Sequence, residues 1–232
     1  MRVTVASEDW EYGPLAGPVV ACAVVMPPDA PAIRGIDDSK RLSAVERVRL
    51  AARIRERALA IGIGAASVRE IDRVNVYHAT VLAMRRALAR LRVLPDQVLV
   101  DGKPIRTLHV PHRAVVGGDA QCYSIACASI VAKVTRDRLM AALGRRYAGY
   151  AWERNAGYGT PDHLAGLAAH GVTPHHRRSF CHVAQLHLAL DALPLGDALA
   201  LDELLPPPDA APAVLDAAPL PAAGDAPPEQ AR

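Results

Sequence analysis

No Cys-x-x-Cys pair and no Cys/His zinc spacing occurs in these 232 residues, which excludes the small zinc-ribbon and zinc-finger classes. Of the four cysteines, Cys22, Cys122 and Cys127 lie in apolar, small-residue segments, where the thiol behaves as a small buried hydrophobe; the fourth is Cys181. No apolar run approaches membrane-spanning length, so no membrane partner is expected. The start, MRVTVASEDW, lacks the basic-then-apolar pattern of a secretory signal, and a reducing cytoplasm is the expected setting. The sequence has no internal repeat. Its last 42 residues contain no aromatic side chain but nine of the 19 prolines.

Charge is present in quantity but unevenly placed. Residues 1–190 carry 26 Lys and Arg against 16 Asp and Glu, whereas residues 191–232 carry one basic and eight acidic residues. The net charge of +3 therefore hides a basic body and an acidic tail. A basic body suits an anionic partner such as nucleic acid, because Lys and Arg that neutralise phosphates release condensed counterions. It equally suits an Arg-rich surface held in water. Residues 1–190 are long enough to bury a core without disulfides or structural metal. Stretches such as PPPDAAPAV cannot bury enough apolar surface to offset ordering entropy, so residues 191–232 are expected to form a disordered tail.

Along the body, Val3 to Ser7 and Val19 to Met26 read as strands joined by the Gly/Pro turn GPLAGP. Ser43 followed by Glu46 is a capping box that opens a helix to about Ala60. Ile61 to Ser67 reads as a third strand. A helix over Glu70 to Leu91 is predicted by Val74, Val81, Met84, Leu88 and Leu91, spaced close to 3.6 residues per turn. Gln97 to Val100 is a fourth strand and His112 to Val116 a fifth. A long helix over Ser124 to Tyr147 should turn Ile125, Ala128, Ala132 and Leu139 inward, and shorter helices are expected at Pro161 to His170 and Cys181 to Leu190. Strands alternating with helices in this way define an α/β protein.

Acidic residues stand at the strand ends: Glu8 and Asp9 after the first, Asp101 after the fourth. Asp119 and Asp137 follow at 18-residue intervals. Carboxylates that converge at neighbouring strand ends can hold hard divalent cations, and a pair of such ions can activate a water against a phosphodiester. Carboxylates at strand ends are also common as solvated turn residues.

Eight segments in order narrow the choice: GPLAGPVV (13–20), DDSKRLS (37–43), ASVREIDRVNVYHATVLAMRRAL (66–88), VLVDG (98–102), GGDAQ (117–121), ACASIVAKVTRDRLM (126–140), NAGYGTPDH (155–163) and HRRSF (176–180). With these the chain resembles the ribonuclease HII family over nearly all of residues 2–185. The resemblance implies a ribonuclease H-like mixed five-stranded sheet flanked by helices, followed by a mostly helical C-terminal segment. It also implies Mg²⁺- or Mn²⁺-dependent hydrolysis of RNA in RNA–DNA hybrids, or cutting at ribonucleotides embedded in DNA; the chain is expected to act as a monomer. By position, Glu8, Asp9, Asp101 and Asp119 match the family's catalytic and metal-binding carboxylates. Asp137 is a possible further carboxylate, or a helix-surface partner of Arg136 or Arg138. The substrate side is expected to involve Glu11, Tyr12 and Gly13, Ser39 and Lys40, and Tyr158, which resembles the family tyrosine beside the cut. Lys133, Arg136, Arg177 and Arg178 are candidate phosphate contacts, or ordinary solvated charges.

One segment departs from the family pattern. Where the family runs Asp-Glu-Ala-Gly-Arg-Gly, this chain has Glu8-Asp9-Trp10-Glu11-Tyr12-Gly13. The acidic pair is inverted, and of the Gly-Arg-Gly triplet, which lets backbone approach the ribonucleotide, only Gly13 remains. Gly117 stands where the family often has lysine. Two functions stay open on these residues: an active hybrid nuclease, or a catalytically impaired descendant that binds hybrids or nucleic acid without cutting.

Overall fold

The computed structural model describes residues 2–7, 13–93, 95–180 and 183. Glu8, Asp9, Glu11, Tyr12, Cys181 and residues 191–232 lie outside the described residues, as does all but one residue of the helix expected over 181–190.

Five strands form one sheet: β1 (Arg2–Ser7), β2 (Val19–Val25), β3 (Ala60–Ala66), β4 (Gln97–Asp101) and β5 (His112–Val115), in the order β3-β2-β1-β4-β5. β1 and β3 both run antiparallel to β2, while β4 runs parallel to β1 and β5. All seven residues of β2 are buried, which is why it reads in sequence as an unbroken apolar run rather than an alternation. The mixed sheet flanked by helices is the architecture the sequence implied.

Capping boxes start two of the helices that flank the sheet. Ser43 and Glu46 open α1 (Ala44–Arg57), and Ser67 and Glu70 open α2 (Val68–Ala89). Helix α2 covers one face, where Ile71, Ala83, Met84 and Ala87 pack on Val3, Val5, Val19, Ala21 and Val100. It lies so close to β3 that a Cβ on Gly64 would stand 2.0 Å from the Ala83 carbonyl oxygen. Helices α1 and α4 (Tyr123–Arg146) cover the other face through Leu50, Ile54, Ile125, Ala128 and Ala132, against Ala6, Cys22 and Val24. A third cluster joins Leu15 and Ala16 to Met140, Tyr150, Trp152 and Leu167, and ties the C-terminal region to α4 and to the turn before β2. This region contains the short helix α5 (Trp152–Asn155) and α6 (Pro161–His170), the latter matching the expected helix. No described helix is long and apolar enough to cross a membrane.

Two expected core positions face outward instead. Val74 is 37 % exposed and lies next to Asn75, whose φ of 65° breaks α2 into two stretches, so one helical period does not run through both. The side chain of Asn75 accepts the His78 amide at 3.1 Å and so caps the second stretch. Leu139 is 43 % exposed, while the inward stripe of α4 continues through Arg136 and Met140, both fully buried. An arginine on that stripe hides the helical period from a reading based on hydrophobicity. Cys22 and Cys127 are buried and Cys122 is half-buried, all as free thiols.

Candidate active site

Val5 of β1 faces Val100 of β4 in parallel register, so these neighbouring strands end together, at Ser7 and Asp101. Asp101 is partly buried there, and its Oδ1 accepts the Gly118 amide at 3.0 Å. That bond fixes the carboxylate against the first turn of α3 (Gly118–Gln121), the turn that carries Asp119. Gly118 sits in a tight space: a Cβ would meet Ile125 Cδ1 at 2.5 Å and Asp101 Oδ1 at 3.1 Å.

Both carboxyls are displaced upward from the ordinary carboxylate range. Burial pushes Asp101 above its ordinary range, and the charge of Asp119 adds to that, while the Gly118 amide and Lys40 oppose it. Asp119 is also raised, by burial and then by the Asp38 carboxyl packed against it, again opposed by Lys40. Crowded carboxyls that resist ionisation, with oxygen the only donor type, are a donor set suited to a hard divalent cation. Among the described residues no group of three Asp, Glu, His or Cys side chains gathers to hold an ion; Asp101 and Asp119 form a pair beside the end of β1.

The loop 37–43 brings Lys40 to this pair. It is folded by its own carboxylates: Asp38 Oδ1 accepts the Lys40 amide at 2.9 Å and Asp37 Oδ1 accepts the Asp38 amide at 2.8 Å. Arg47 of α1 fastens it by donating to the carbonyls of Ser39 (2.9 Å) and Leu42 (2.6 Å). Lys40 is exposed, as a phosphate-binding cation must be. Ser39 corrects the expectation, since its hydroxyl is buried and bonded to Ser129 at 3.0 Å. It anchors the loop, while its neighbour Lys40 carries the open charge.

Tyr158 is 36 % exposed, with Lys133 Nζ 5.3 Å and Arg136 Cζ 5.7 Å from its ring centroid. Asn155 shapes the turn beneath it by accepting the Gly157 amide and donating to the Tyr150 carbonyl. The expected phosphate cations around Tyr158 need correction. Arg136 is fully buried and donates to the carbonyls of Pro18, Ala156 and Ala16. Arg177 is fully buried too, donates to the Gly17 carbonyl at 3.0 Å, and lies over the Phe180 ring. Both clamp the turn that follows Gly13 instead of reaching solvent. Lys133 points its ammonium at Asp137 (3.1 Å), not at open solvent. Arg178 is exposed and remains available. Asp137 is not brought to the acidic pair; Lys133 and Arg47 neutralise it.

A chain of hydrogen bonds holds the backbone of Tyr158 from below. The Thr173 amide donates to His176 Nδ1, which leaves the His176 proton on Nε2, directed at His163 Nε2 at 3.0 Å. Trp152 Nε1, which can only donate, also bonds His163 Nε2. His163 therefore carries its proton on Nδ1 and donates it to the Tyr158 carbonyl at 2.8 Å. The sequence reading missed this chain, as it missed Asp38 and Arg47. Only the adjacency of Asp38 to Lys40 pointed to any of them.

The mixed five-stranded sheet in the order β3-β2-β1-β4-β5, flanked by helices, places the protein in the ribonuclease H-like class. Ribonuclease H2 from Pyrococcus horikoshii has the same fold, at TM-score 0.69 and 21 % identity, covering 82 % of this chain and all of that one. A Bst RNase HIII structure in complex with Mn²⁺ superimposes at TM-score 0.60 with 18 % identity, covering 82 % of this chain and 70 % of that one. In sequence, the Ribonuclease HII of Granulibacter bethesdensis is 60 % identical over 178 residues, 75 % of this chain and 81 % of that protein. That of Paraburkholderia xenovorans is 51 % identical over 196 residues, 83 % and 79 % of the two chains. The family model for Ribonuclease HII matches residues 12–183, and the chain belongs to that family of ribonuclease H-type endonucleases.

Proposed function

We propose that this protein hydrolyses the RNA strand of RNA–DNA hybrids, or cuts at ribonucleotides embedded in DNA, with Mg²⁺ or Mn²⁺ held by Asp101, Asp119 and the preceding pair Glu8 and Asp9. The observation that carries the reading is the Asp101–Asp119 pair, joined through the Gly118 amide and faced by Lys40. A cation bound there would supply charge that makes a water nucleophilic and offsets charge on the departing oxygen. The chain's own residues do the rest. Lys40 meets a phosphate as a point charge, at a distance set by Arg47 through the loop carbonyls. Tyr158 offers a half-exposed ring to a sugar or base, its carbonyl held by His163. The excess of Lys and Arg in residues 1–190 supports a nucleic acid partner. We further take the catalytic domain as residues 1–190 followed by a separate acidic tail, acting as a monomer in the cytoplasm, in replication and repair of DNA.

The departure at Glu8 to Tyr12 favours a second reading, a descendant that binds hybrids without cutting. One assay separates the two: cleavage of a duplex with a single embedded ribonucleotide, with Mg²⁺ or with EDTA, by the parent and by Asp101→Asn. Cation-dependent cutting that disappears in Asp101→Asn supports the nuclease. Hybrid binding without cutting supports the second reading, and equal cutting by both proteins would remove Asp101 from the site.

A further inference from the structure

Asp137 stands between two cations that serve different parts of the candidate site. Its Oδ1 is 3.1 Å from Lys133 Nζ, one turn earlier on α4, and its Oδ2 is 3.9 Å from the Arg47 guanidinium on α1. Both cations are largely shielded from solvent, their side chains being 14 % and 16 % exposed. Arg47 fastens the Lys40 loop through the carbonyls of Ser39 and Leu42, and Lys133 lies against the ring of Tyr158. One carboxylate thus neutralises both the cation that positions Lys40 and the cation that supports Tyr158. If it were neutral, Lys133 and Arg47 would face each other as like charges in a partly desolvated space, where repulsion is stronger than in water. Neither cation has another carboxylate within ion-pair distance among the described residues.

We propose that Asp137 is a positioning residue that couples the Lys40 loop to Tyr158, so that the phosphate-binding charge and the stacking ring are held at one spacing for a hybrid substrate. This rests on the nuclease reading above for its substrate, but the coupling is a property of the protein alone. Asp137 acts through its two partners, not through a cation held by Asp101 and Asp119.

Hydrogen exchange on the full chain tests the coupling without substrate. Asp137→Asn should speed exchange in segments 37–43 and 155–160 together, by about fivefold or more, an effect of the size that couples distant sites. Exchange in β1 and β4 should not change. Lys133→Met should speed exchange in 155–160 alone. Faster exchange in only one segment, or in neither, on Asp137→Asn would overturn the proposal. Steady-state cleavage adds a second readout: Asp137→Asn should raise KM about fivefold with kcat within twofold, and Asp137→Glu should recover part of the loss. Calorimetric titration with Mn²⁺ should give the parent affinity for Asp137→Asn and a weakened one for Asp101→Asn. A collapse of kcat together with lost Mn²⁺ affinity in Asp137→Asn would instead make it a metal ligand. A parent protein that cuts no hybrid would refute the proposed activity, while the exchange result would still decide the coupling.

Discussion

The amide of Gly118 and the carboxylate of Asp101 are 3.0 Å apart, and a methyl group on that glycine would stand 3.1 Å from the same carboxylate oxygen. It would also stand 2.5 Å from Cδ1 of the fully buried Ile125 of α4, so either that side chain or the Gly118 backbone must shift. Gly118→Ala should therefore move Asp101 relative to Asp119. A displacement of around 1 Å at reacting groups costs on the order of a hundredfold in rate. We expect kcat to fall by about that factor and stability by roughly 1–3 kcal/mol for overpacking. Single-turnover cleavage and denaturant unfolding measure the two effects, and an unchanged kcat would show that the Asp101–Gly118 bond does not set the site.

The buried and exposed arginines should separate in experiment. Arg136→Met leaves the carbonyls of Ala16, Pro18 and Ala156 without this donor, in the interior. The expected cost is about 3 kcal/mol or more, since each unsatisfied buried group costs about 1–3 kcal/mol. It should leave the salt dependence of hybrid binding unchanged, because a buried guanidinium releases no counterion. Arg178→Ala should do the reverse, with little change in stability and a binding slope against log salt smaller by about one. Urea unfolding and fluorescence anisotropy at several salt concentrations check both; a stable Arg136→Met with a reduced salt slope would restore Arg136 as a phosphate contact.

The histidine chain predicts an acid-sensitive fold. Burial, then the nearby His163, pushes His176 down from 6.5 to about 3, and burial lowers His163 as well. A depressed folded value means that the unfolded chain takes up the proton first as pH falls. The stability from a neutral His176 is thus complete above about pH 6.5 and is lost between there and about pH 3. The loss should approach about 1.4 kcal/mol per pH unit below pH 6 for this group alone. Denaturant unfolding at pH 7.5, 6 and 5 measures it in a range where ordinary carboxylates remain ionised. His176→Gln should flatten the slope, and an unchanged slope would locate the acid sensitivity elsewhere.

The inverted acidic pair gives a prediction from sequence alone, since Glu8 and Asp9 lie outside the described residues. Glu8 is one methylene longer than the family's aspartate and Asp9 one shorter than its glutamate. Exchanging them as Glu8→Asp with Asp9→Glu should raise kcat, by about tenfold or more if their reach limits the rate. Glu11→Gly with Tyr12→Arg should mainly lower KM and sharpen preference for an embedded ribonucleotide. Steady-state kinetics on both double variants tests this division. No gain from either would show that the loop is a working alternative to the family pattern.

The sequence by itself determined which stretches became strands and helices and which carboxylates stand at the strand ends. Those signals are local: the Ser43–Glu46 box lies within one turn of helix, β2 is a run of seven apolar residues, and Asp101 directly follows the apolar Val98–Val100. The family resemblance supplied the five-stranded sheet, because eight short segments in order identify a fold that no single one could. What the local pattern could not decide was which way each charged side chain faces. Arg136 is fully buried because carbonyls from Ala16 and Pro18, about 120 residues earlier, arrive around it; Arg177 meets Gly17 across 160 residues. An arginine on a helix looks the same in sequence whether its donors will meet water, phosphate or distant carbonyls. For Ser39 the outcome depended on Ser129, and for Asp137 on an arginine from another helix. Asp38, unmarked in the sequence beside Asp37, joined the site because the loop places it against Asp119. Secondary structure follows from forces that act within a few residues, whereas the partner of a polar group is chosen by packing over the whole chain.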